Sequence, residues 1–141
     1  MATLLVALAA ALLAGPGTST FGVKAGLDGR QQVPPVSTTA TGTLSGTLVV
    51  TGRRGTLTWR LTFGRLTGKA ARAELRRGRL GRRGPAIARL CAPCATGAHG
   101  STRLTASAVA SIRGGGAYVV VATRAHPAGE IRGQLRVLSG T

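Results

Sequence analysis

Cys91 and Cys94 in "CAPC", His99 and His126, and the acids Asp28, Glu74 and Glu130 are the side chains from which a catalytic or metal site in this chain would be built. Two cysteines and two histidines make the ligand count of a Cys2His2 zinc site, and the spacing C-x2-C-x4-H suits its first part. His126 is remote in sequence, however, and an oxidising exterior favours a disulfide between Cys91 and Cys94. A thioredoxin-like role needs the pair at the start of a helix that lowers the thiol pKa, whereas "CAPCATGAHGS" runs on into Gly, Thr and Ser. The expectation is a disulfide in a surface loop. The alternative is an exported metal- or thiol-dependent redox protein using CAPC with His99 or His126. Chemistry that needs paired carboxylates has 3 Asp+Glu in the whole chain to draw on. No Ser/His/Asp arrangement, dinucleotide fingerprint or phosphate loop can be read from the residues. The reading is a non-enzyme with no cofactor and no metal.

Charge is the larger signal. The chain carries 19 Lys+Arg and a formal net charge of +16, and every base except Lys24 and Lys69 is arginine. Arg76, Arg77, Arg79, Arg82 and Arg83 form the densest group, and with Arg53, Arg54 and Arg72 they have Glu74 as their acidic neighbour. These arginines are the candidate binding residues, expected to form one basic surface region. Such a chain attracts polyanions, so anionic cell-surface polymers are the expected partners. Specific nucleic-acid recognition is not expected: it relies on base-stacking aromatics, and the chain has one Trp, one Tyr and two Phe, mostly at inward strand positions.

The elements that must position these residues are strands. Residues 1–20 carry an apolar run from Leu4 to Ala14 followed by small residues and a proline, the pattern of a secretory signal peptide. Residues 21–141 form the β domain of an exported protein, with no further stretch long enough to span a bilayer. In "GTLTWRLTF", Leu57, Trp59, Leu61 and Phe63 alternate with polar residues, which predicts a half-buried strand. Leu44, Leu48 and Val50 alternate likewise in "TATGTLSGTLVVT", where Gly42 and Gly46 mark a bend or a close approach. "GRRG" joins the two runs as a hairpin turn. "QQVPPV" is an edge or polyproline-like segment, since consecutive prolines remove backbone donors. "ARAEL" and "AIARL" flank the Arg/Gly loop as strands, and "TASAVASIRGGG" is a short helix with Thr105 as N-cap.

"AYVVVATR" and "GEIRGQLRV" form a hairpin across "AHPA". Val119 to Val121 is apolar on both faces, so that strand is central. The last strand sets Ile131, Leu135 and Val137 against Glu130, Arg132, Gln134 and Arg136. Glu130 and Arg132 thus read as a same-face pair with a structural role, weighed as an exposed ion pair of about 0–1 kcal/mol. Short strands with Gly/Pro turns give an all-β fold: an antiparallel, Greek-key-like sandwich or barrel with at most one short helix.

Three blocks in order, "GLDGRQQVPPVSTTATGTLSGTL", "AELRRGRLGRRGPAIARLC" and "AYVVVATRAHPAGEIRGQL", resemble the CHRD (chordin-type) domain over almost the whole mature chain. Val33, Pro34 and Pro35 match the family pattern, as do Gly78, Gly81, Gly84 and Pro85. Tyr118, Val119, Val121, Thr123, Pro127 and Gly129 to Leu135 match as well. The resemblance implies a secreted β domain without established catalytic activity. Where the family has histidines on one face of two strands, a face able to hold a metal, this chain has Glu74 and Arg76, and Ala122 beside Val120 in place of an asparagine. It implies that whatever those imidazoles do is lost here.

Overall fold

A computed structural model describes residues 17–140; the expected signal peptide lies outside them up to residue 16, and Thr18 already begins a strand. The elements are β1 (Thr18–Asp28), β2 (Thr41–Thr51), β3 (Arg54–Gly64), β4 (Ala70–Arg77), β5 (Ala86–Cys91), β6 (Ala98–Leu104), α1 (Ala106–Arg113), β7 (Ala117–Thr123), β8 (Ile131–Gln134) and β9 (Arg136–Gly140). Every strand pairing is antiparallel, in the order β5-β4-β7-β8-β1-β2-β3-β6, with β9 also on β1. The chain-consecutive β5 and β6 stand at the two ends of that order, so the sheet curls into a nearly closed barrel whose ends meet at the loop carrying the cysteines. Curling leaves few unpaired edges. No helix among the described residues is long and apolar enough to cross a membrane.

The alternation of β2 and β3 works as their sequences require. Leu44, Leu48, Val50, Leu57, Trp59 and Leu61 are buried together, while their polar neighbours face out. Each large apolar side chain removed from water contributes about 1.5–3 kcal/mol. Gly46 is where a side chain cannot fit: a Cβ there would lie 2.2 Å from the Thr58 carbonyl oxygen. Gly52, with φ of 65°, opens the two-residue turn into β3, in the positive-φ form that two-residue hairpins favour. Thr105 caps α1, its Oγ1 accepting from Ala108 N–H, and Val109 and Ile112 turn into the core.

The last strand departs from the sequence reading. It is not continuous but breaks at Leu135 into β8, paired with β7, and β9, paired with β1. Gln31 fills the gap between β1 and β8: its Oε1 accepts from Gln134 N–H at 3.2 Å and its Nε2 donates to Gly26 O at 2.8 Å. One side-chain amide thus replaces a missing rung of the ladder.

Candidate functional site

β7 buries both faces. Ala117, Val119 and Val121 belong to the barrel core; Tyr118, Val120 and Ala122 are equally buried but lie outside that cluster. Their cross-strand neighbours are Arg76, Glu74 and Arg72 on β4, and Gln134 and Arg132 on β8. This outer face is therefore roofed, and the roof consists of the Arg/Gly loop 78–85 and the loop 29–37.

The Arg/Gly loop is held down by hydrogen bonds along its length. Gln134 Nε2 donates to Gly78 O at 2.7 Å, Arg132 Nη2 to Arg79 O at 2.9 Å, Arg76 Nε to Gly84 O at 2.8 Å, and Gly84 N–H to the Tyr118 hydroxyl at 3.0 Å. Arg77 N–H donates to Pro85 O at 2.9 Å, closing the loop's base. Gly84 sits so close to Arg77 that a Cβ there would overlap the Arg77 carbonyl oxygen.

The five candidate arginines divide by partner. Arg76 reaches Glu74 at 2.6 Å; burial lowers its pKa, but the hydrogen bonds and charge attraction of Glu74 and Tyr118 together outweigh this and hold it raised. Arg77 is tied to α1 through Ser111 at 3.0 Å and Ser107 at 2.5 Å. Arg79, Arg82 and Arg83 are exposed and their side chains form no bond or ion pair among the described residues. Of the wider set, Arg72 joins Glu74 at 3.5 Å, and Arg53, on the β2–β3 hairpin, lines a cleft with Arg113 of α1.

Glu130 and Arg132 are not an exposed pair. Both are 0% exposed and they do not meet. Glu130 lies just before β8: its N–H donates to Val121 O at 2.8 Å, and the ladder begins with Ile131 in register with Val121. Outside the regular ladder, its side chain turns toward Thr38, Thr67 and Thr123, which donate to it at 2.5–3.2 Å. Arg132 instead stacks on Tyr118, 3.5 Å from the ring centroid. Burial pushes its pKa down. The sequence did carry a signal of this buried layer, namely the two-sided apolar run of β7.

Cys91 and Cys94 form a disulfide with Cα atoms 5.4 Å apart, and Cys94 N–H donates to Ala70 O at 3.1 Å. His99 is exposed on β6 opposite Arg60, and His126 lies in the β7–β8 turn. No three His, Cys, Asp or Glu side chains converge among the described residues. Glu74 and Arg76, and Val120 and Ala122, do share the outer face of adjoining strands, as the pattern of the resembled family requires.

The family model described as the CHRD domain matches residues 23–135. No curated protein and no solved structure matches the chain.

Proposed function

Because the chain belongs to the CHRD domain family, we propose that it is a secreted, non-enzymatic binding module whose Arg/Gly loop holds anionic surface polymers. The observation that carries this reading is the loop itself. Arg79, Arg82 and Arg83 project from a backbone fastened to Tyr118, Arg132 and Gln134, with no carboxylate among the described residues paired to them. A fixed platform loses little entropy when it binds. Charge without exposed stacking aromatics gives affinity that is electrostatic and tolerant of polymer type. The disulfide is compatible with an oxidising compartment.

The test is retention on heparin, DNA and an anionic cell-wall polymer over a salt series, against the variant Arg79→Ser/Arg82→Ser/Arg83→Ser. Wild-type protein is expected to elute early at high salt with little preference among polymers. Removing three contacts should lower the slope of log affinity against log salt by about 2.7 on DNA. Equal retention of the variant would sink the loop as the binding element.

A further inference from the structure

The β3–β4 loop and the disulfide loop between β5 and β6 face each other across a cleft of about 600 Å³. That volume lies within the ~300–1,000 Å³ of ordinary small-molecule sites. Most of the lining is apolar. Phe63, Leu66 and Cys94 pack against the core yet stay only partly buried, and Pro93 and Ala95 are exposed. Gly64 and Gly68 line it as well, and a Cβ on either would meet nothing within 4 Å. Packing does not demand glycine at these two positions; its effect there is to leave the cleft open.

Both walls are fixed. Phe63 N–H donates to Thr96 Oγ1 at 2.9 Å and Cys94 N–H to Ala70 O at 3.1 Å, which ties one wall to the other. Thr67 is anchored from behind by Glu130, and the disulfide closes the opposite loop. Walls held in this way lose little entropy when the cleft is filled.

Two cations line the same cleft. Arg65 and Lys69 are exposed, and neither side chain has a hydrogen bond or ion pair among the described residues. Arg65 also has a φ of 64°, which no other non-glycine residue among those described takes with positive sign. Glycine adopts that conformation freely and arginine rarely. The backbone there favours glycine, yet the sequence supplies a cation, and strain kept in this way points to a use for the side chain. We propose that the cleft binds one free amphiphile with an anionic head, its apolar body against Phe63, Leu66, Pro93 and the disulfide, and its carboxylate or sulfonate between Arg65 and Lys69. Charge complementarity selects the head, and the apolar lining selects the body. A bilayer is the poorer fit, since none of the exposed large apolar side chains Val49, Leu80 and Leu138 lines the cleft. The cleft and the Arg/Gly loop lie at opposite ends of β4, so the proposal goes beyond polymer binding and does not rest on it.

The experiment is displacement of 8-anilinonaphthalene-1-sulfonate, an anionic apolar fluorophore, from the full chain at fixed ionic strength and below micelle-forming concentrations. Its emission should rise saturably with protein and fall as decanoate is added. Acetate, a head without a body, should leave the emission unchanged. Octyl glucoside, a body without a charge, should compete at least about tenfold more weakly than decanoate. From hexanoate to decanoate the affinity should rise by up to about fourfold per methylene. Arg65→Gly should weaken decanoate by about fivefold without a fall in Tm, because glycine relieves the positive φ. Lys69→Glu, which sets a like charge beside the head, should weaken it further. Arg136→Ser, which removes a cation from β9, should keep the wild-type response. Absence of a saturable signal, equal competition by acetate or octyl glucoside, or undiminished binding in Lys69→Glu would overturn the site. A lower Tm in Arg65→Gly would overturn the role given to Arg65. Loss of polymer retention in the Arg79, Arg82 and Arg83 variant with decanoate binding intact would count against the Arg/Gly loop and leave this site standing.

Discussion

Glu130 joins three connections through one carboxylate: the β1–β2 loop through Thr38, the β3–β4 loop through Thr67, and the β7–β8 hairpin through Thr123. Burial alone would raise its pKa. The donors from Thr67, Thr38 and Thr123 outweigh that and hold it below the usual carboxylate range. A depressed folded-state pKa means stability that is present above the unfolded value of about 4.3 and lost as pH falls through the folded one. Glu130→Gln should therefore cost about 1.5–3 kcal/mol at neutral pH, the worth of a charged hydrogen bond. Urea unfolding at pH 7 and again below pH 4 checks this, because the gap between variant and wild type must narrow on acidification. A gap independent of pH would mean that Glu130 acts through its shape. Period-two reading pairs this residue with Arg132, but the strand begins only at Ile131, and Glu130 turns to the threonines instead. Nothing in "GEIRG" marks where the strand begins, since that boundary is set by pairing with β7.

At the level of elements, the loop 78–85 acts as a lid on β7 and β8, and Gly84 is its tightest point. Gly84→Ala has to displace backbone, at a cost of about 1–3 kcal/mol by analogy with overpacking. Because Gly84 N–H holds the Tyr118 hydroxyl, lifting the loop should also uncover Tyr118 and Arg132. Hydrogen exchange in residues 78–85 and in β7 would register this, and unchanged protection in both would show that the loop is not fastened there. Some elements were legible from local pattern: β2 and β3 from alternation, α1 from Thr105, and β7 from its two-sided apolar run; β1 and β6 were not read as strands. The split between β8 and β9 was not, because it depends on Gln31 entering the gap from a loop 103 residues away in sequence from Gln134. The burial of Arg132 was hidden for the same reason. A charged residue on an alternating strand reads as solvent-facing, and only the folded loop shows that it is roofed.

For the whole molecule, the ion pairs among the described residues are Arg72–Glu74 and Arg76–Glu74, and the +16 is the excess that remains after every acidic side chain has been counted. Self-repulsion of that size acts against the compact state. Raising monovalent salt from about 10 mM to 150 mM shortens the screening length from about 30 to 8 Å, so the urea midpoint should rise gradually, without saturating. A flat or falling midpoint would indicate that the arginines are already neutralised. Trp59, donating to Thr102 Oγ1 at 3.1 Å and flanked by Gly100, sits where β3 meets the end strand β6. Tyr118, beneath Arg132, sits on the opposite arc of the strand order. The chain's lone tryptophan and lone tyrosine are thus two built-in optical reporters, so emission at the indole wavelength follows the seam of the barrel while tyrosine absorbance follows the roofed arginine. Loosening of one region can be watched without labelling the other.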